Sequence, residues 1–104
     1  MAKEQVDFIV NRPVMEVWGY LSTLPGIAGI KVDFVDRQYY QIRLSNGFTL
    51  MSYGENVTVS FYDANGVTRI IAESKPKMPT QLIDGGVNRK NVENIRQFIL
   101  STFR

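Results

Sequence analysis

Ten carboxylates, no histidine and no cysteine set the chemistry open to this 104-residue chain. Without histidine it lacks the commonest general base and metal ligand, and no serine or cysteine can be activated by an imidazole. Ser52 carries inward parity on an expected strand, yet no base is at hand to activate it. Paired carboxylates could divide acid and base roles, but Asp33 and Glu73 fall on outward strand positions. Asp33, Asp36, Asp63 and Asp84 are scattered and lack calcium-loop spacing. Gly26-x-x-Gly29 and Gly85-Gly86 match neither dinucleotide nor P-loop fingerprints. Asp84-Gly85-Gly86-Val87-Asn88 could offer backbone N–H groups to an anion at a helix start. Asp84 would repel that anion, so the segment reads as an Asx turn with Asn88 as N-cap. The expectation is therefore no catalytic residue, no cofactor and no metal.

The elements that carry these residues follow from hydrophobic period. Val6, Phe8 and Val10 alternate with Gln5 and Asp7, the pattern of a half-buried strand. Pro13 suits a first helical turn, and Val14, Val17, Trp18, Leu21 and Leu24 form an apolar helical stripe that Pro25-Gly26 ends. Five strands are then expected. Ile30, Val32 and Phe34 mark the first, and Tyr40, Ile42 and Leu44 the second, with a turn at Asp36-Arg37. Asn46-Gly47 reads as a two-residue hairpin into a strand over 48–53. Val57, Val59 and Phe61 mark the fourth, and Asp63-Ala64-Asn65-Gly66 turns the chain into the last, from Val67 to about Ser74. Residues 75–87 carry two prolines and two glycines and read as irregular. Val92, Ile95, Phe98, Ile99 and Thr102 then line one side of a helix over 88–102.

The fold class that results is α+β, a single domain over 1–104. A curved antiparallel sheet in the order β-α-β5-α would be covered on one face by a long C-terminal helix. That order, with the opening strand running into Asn11-Arg12-Pro13 and then Val17-Trp18, resembles the helix-grip domains of the START/Bet v 1 (SRPBCC) superfamily. The resemblance implies a small apolar ligand held between sheet and terminal helix. Trp18, Tyr40, Phe34, Phe61 and Phe98 are the expected lining, with Trp18 and Tyr40 orienting the ligand through their polar tips. The topology is also similar to TATA-binding-protein-like saddles, which would bind nucleic acid. An enzyme of the same fold, with carboxylates converging in a pocket, is the third reading.

Charge bears on partners. Net charge is +2, with 44% hydrophobic residues, which excludes a disordered chain. Residues 1–74 carry six basic and eight acidic groups, and residues 75–104 carry six and two. A saddle would need basic residues on the exposed strand face. The strands offer Lys31, Arg43 and Arg69 beside Asp33 and Glu73, which argues against nucleic acid. Ile9, Tyr39, Met51, Tyr53, Tyr62 and Ile71 carry outward parity, so clustering there would favour a homodimer through the outer sheet face. No apolar run is long enough to span a membrane, and the lack of cysteine and of an apolar leader points to the cytoplasm.

Overall fold

A computed structural model describes residues 3–47, 53–78 and 86–104. Strand β1 (Glu4–Val10) leads into helix α1 (Val14–Leu21). Strands β2 (Gly26–Ile27), β3 (Ile30–Asp36), β4 (Gln41–Asn46), β5 (Glu55–Ala64) and β6 (Val67–Pro76) follow, and helix α2 (Val87–Thr102) comes last. The strands form one curled antiparallel sheet in the order β1-β6-β5-β4-β3-β2. Successive strands pair as neighbours because their connections are short. β1 instead crosses over to pair with β6, from Glu4↔Ser74 to Val10↔Thr68. Thr68 helps fix that register, for its buried hydroxyl donates to the Arg12 carbonyl at 2.8 Å.

Both helices cover the inner face. Val17, Trp18 and Leu21 of α1 and Val92, Ile95 and Ile99 of α2 are buried against the inward residues of β1, β4, β5 and β6. Each such aliphatic side chain contributes roughly 2 kcal/mol by leaving water. α1 stops at Leu21, one turn short of the expected stripe. The Ser22 amide donates to the Trp18 carbonyl and the Thr23 hydroxyl to the Tyr20 carbonyl, which caps the end. Leu24 still packs on the core from beyond the helix.

Three expectations change. First, the β3–β4 register shifts between Val32 and Phe34. Val32 pairs with buried Leu44, and Val35 pairs with buried Ile42, while Phe34 lies opposite exposed Arg43. Asp33 is the extra residue of a bulge, and one extra residue reverses side-chain parity beyond it. Phe34 therefore faces outward, 54% exposed. Second, β4 pairs directly with β5, starting at Asn46↔Glu55, and its other edge is taken by β3. Asn46-Gly47 thus does not join β4 to β5 as a two-residue turn. Residues 48–52 of the strand expected over 48–53 fall outside the described residues, while Tyr53 sits in a bend before β5. A short β2, not expected from the sequence, precedes β3. Third, the residue preceding α2 is Gly86, in the left-handed region at φ 79°, and Asn88 lies within the first turn, fully buried.

Gly54 shows how tightly the β5 end is built. Its φ is +106°, and a Cβ there would lie 2.7 Å from the Asn46 carbonyl oxygen. Only glycine fits. Its own carbonyl accepts from the Lys77 amide at 3.0 Å, which ties the start of β5 to the end of β6.

Candidate ligand-binding site

The inner face has two chemically distinct ends. Along β5 they are marked by Glu55 and Phe61, roughly 20 Å apart at the usual strand rise. Packed aliphatic residues fill the stretch between, including Val57, Val59 and, from α2, Ile95, all 1% exposed or less.

At the Phe61 end the side chains are aromatic. α1 packs over β5 and β6, and the helical period turns Trp18 down onto the sheet, where it is 4% exposed. Its ring meets Phe61 edge-on, with centroids 5.2 Å apart, and meets Tyr40 at the same distance and in the same manner. Such edge-to-face pairs contribute about 1 kcal/mol each beyond burial. Tyr40 closes the turn between β3 and β4. Asp36 Oδ1 accepts from the amides of Gln38 and Tyr39 and so winds the turn. Tyr40 then takes φ +53°, unusual for a bulky side chain, and its carbonyl accepts from the Phe61 amide at 3.0 Å. Tyr40 is 37% exposed although its ring touches Trp18. Phe98 of α2 is half-buried and packs on the same core.

At the Glu55 end the side chains are polar. Ser74 donates to Asn88 Oδ1 at 2.6 Å and accepts from Asn91 Nδ2 at 3.0 Å. Asn91 Oδ1 in turn accepts from Asn46 Nδ2 at 3.3 Å. Glu55 shares the rung with Asn46 and, like Ser74 and Asn88, is 0% exposed. This chain links β4, β6 and the first turns of α2. A buried network of that kind is stabilising while every member is bonded and costly otherwise.

Of the five expected lining residues, the structure brings together Trp18, Tyr40 and Phe61. It leaves Phe98 on the neighbouring helix and sends Phe34 to the opposite face of the sheet, where the Arg43 guanidinium lies 5.9 Å from its ring centre. The polar end was missed. Its signal was present: Glu55 shares parity with Val57 and Val59, Ser74 with Ile70 and Ala72, and Asn88 and Asn91 each lie four positions before a core residue, Val92 and Ile95, on one helical stripe. Ser52, the polar inward candidate, falls outside the described residues, as do Asp84 and Gly85 of the expected Asx turn. The described residues hold no group of three His, Cys, Asp or Glu side chains able to bind a metal ion.

The outer face carries the shifted carboxylates. Asp7 is held below the ordinary aspartate value by the hydrogen bond from Arg69 across the β1–β6 pair, and Arg69 is raised in return. Asp33 is lowered by a hydrogen bond from Ser45 and by Lys31, whose ammonium is 3.4 Å away. The apolar residues of that face are interleaved with charge. Ile9 and Tyr62 flank Arg69 in one rung, and Ile71 sits between Asp7 and Ser60 in the next. Met51 falls outside the described residues.

No family model and no curated protein matches this chain. Among solved structures, the crystal structure of Ara h 8.0201, a Bet v 1 family allergen, superposes with a TM-score of 0.64. The match covers 97% of this chain and 93% of that one at 12% sequence identity. The chain thus has a Bet v 1-like fold: a curled six-stranded antiparallel sheet with the C-terminal helix packed on it.

Proposed function

We propose that this domain binds a small apolar ligand at the aromatic end of its inner face, between the sheet and the C-terminal helix, without catalysing a reaction. The observation that carries the reading is Trp18, buried edge-on between Phe61 and the ring of Tyr40, a residue that is itself partly exposed. Aromatic walls with one polar tip at the rim are the usual make-up of a site for a flat or aliphatic molecule. Tyr40 supplies the tip and Phe98 the helix side, while Phe34 drops out because it faces away. The likeness to a Bet v 1 fold is consistent with a small-ligand-binding domain.

Trp18 is the sole tryptophan, so it reports directly. Titration with palmitate, and separately with anilinonaphthalene sulfonate, is expected to give a saturable change in Trp18 emission at one ligand per chain. Tyr40→Ala should weaken it without unfolding the protein. Native mass spectrometry showing no carried ligand, together with no saturable response to either probe, would overturn the proposal.

A further inference from the structure

Strand register moves positive charge onto the outer sheet face that the sequence assigned to the C-terminal segment. Lys75, Asn56, Ser45 and Lys31 form one rung across β6, β5, β4 and β3. In the next rung Arg43 lies between Thr58 and Phe34. Lys77 follows at the end of β6, its amide bonded to the Gly54 carbonyl, and its side-chain Cδ would lie 3.2 Å from a Cβ at Gly54. The missing Cβ lets the lysine stem lie flat over the strand end. All four cationic residues are exposed. The acids nearby are already engaged, Asp33 by Lys31 and Glu73 by Lys3 at 3.1 Å. Among the described residues, Arg43, Lys75 and Lys77 form no ion pair within 4 Å.

Phe34, 54% exposed, stands beside Arg43, and the exposed residues Tyr53 and Met78 neighbour Gly54 and Lys77 along the chain. At the opposite end of the same face Asp36, Gln41, Ser60, Ile71 and Asp7 share a rung, and Asp7 is paired with Arg69. The face therefore gathers Lys31, Arg43, Lys75 and Lys77 at one end, while exposed apolar side chains occur at both ends. Cations interleaved with exposed aromatic and thioether side chains match the interfacial region of an anionic bilayer, where lysine meets headgroups and aromatic rings sit at their level. Among the described residues the register places one ring, Phe34, between these cations, whereas a single-stranded nucleic acid stacks successive bases on several.

We propose that the end of the outer sheet face bearing Lys31, Arg43, Lys75 and Lys77, with Phe34 and Met78 beside them, docks reversibly on an anionic lipid surface. This surface lies on the side of the sheet away from the aromatic site, and the proposal holds whether or not that site binds a ligand. Co-sedimentation of the full chain with vesicles of phosphatidylserine and phosphatidylcholine tests it, with phosphatidylcholine vesicles as the control. Binding is expected to the anionic vesicles alone and to fall as salt shortens the screening length. Each lysine at such a surface strengthens binding about fivefold, so Lys75→Glu with Lys77→Glu should weaken it by more than about tenfold. Both positions are exposed, and an unchanged circular dichroism spectrum would show the variant folded. Phe34→Ala should weaken binding while leaving its salt dependence intact. Equal sedimentation with both vesicle types, no sedimentation, or an undiminished double variant would overturn the proposal. So would tighter binding to a labelled oligodeoxythymidine than to the anionic vesicles, which would assign the face to nucleic acid.

Discussion

Replacing Ser74 by alanine tests the polar end of the inner face most directly. The hydroxyl makes two buried hydrogen bonds, donating to Asn88 Oδ1 at 2.6 Å and accepting from Asn91 Nδ2 at 3.0 Å. Alanine fits a strand and leaves almost no cavity, so the cost comes from the amide groups that lose a partner. A buried polar group deprived of its bond costs about 1–3 kcal/mol. Asn91 keeps its bond from Asn46 through Oδ1, so the sum should fall at about 2–4 kcal/mol. A domain of this length is stable by about 5–15 kcal/mol, and each kcal/mol lowers Tm by about 4–8 °C. The variant should therefore melt at least about 8 °C lower. Urea unfolding followed by Trp18 emission should show a lower midpoint with an unchanged slope. Asn91→Ala made alone and in the Ser74→Ala background completes the cycle, and a coupling above about 0.5 kcal/mol is expected for residues in contact. A loss below about 0.5 kcal/mol for Ser74→Ala, or strict additivity, would refute the network as described.

Four further outcomes follow from the geometry. Phe61→Ala should cost about 3–5 kcal/mol, whereas Phe34→Ala should change stability by under about 1 kcal/mol, since the bulge puts it outside; comparable losses in denaturant melts would contradict the β3 register. Gly54→Ala should destabilise by about 2 kcal/mol or more, because φ +106° and the nearby Asn46 carbonyl both exclude a Cβ; a neutral result in the same melts would speak against that turn. Asp7 has a folded-state value below its ordinary 3.8, so its pairing stabilises the fold above that value and is lost as pH falls through the lowered one. Acid titration of stability should accordingly be shallower in Asp7→Asn, with the difference confined to the acid range below about 4 and reduced by added salt. Tyr40→Gly should relieve the positive φ and leave stability nearly unchanged while raising acrylamide quenching of Trp18, because it uncovers that ring; unaltered quenching would show that Tyr40 does not shield it.

Period and parity carry information within one segment, and there the reading from sequence holds. Val6, Phe8 and Val10 turn inward on β1. Val57, Val59 and Phe61 do so on β5, and Val92, Ile95 and Ile99 do so on α2. Pro13 opens the first helix, and the α+β order of a curled sheet under a terminal helix follows from these segments together. The side on which Trp18 and Phe61 meet is legible for the same reason, since both are set by local spacing. The pairing between segments is not local. Whether Asp33 is bulged depends on which residues of β4 lie opposite, and that single insertion moves Phe34 from the inner to the outer face. β1 beside β6, β4 beside β5 past Gly47, and Lys75 level with Lys31 each join residues far apart in the chain. The polar cluster shares this property. Asn46, Ser74 and Asn91 look like a turn residue, a strand end and a solvated helix residue until three elements close over them. Alternation along a strand says which residues share a face; it takes the neighbouring strand and the covering helix to say which face is dry, and so which polar groups must find one another.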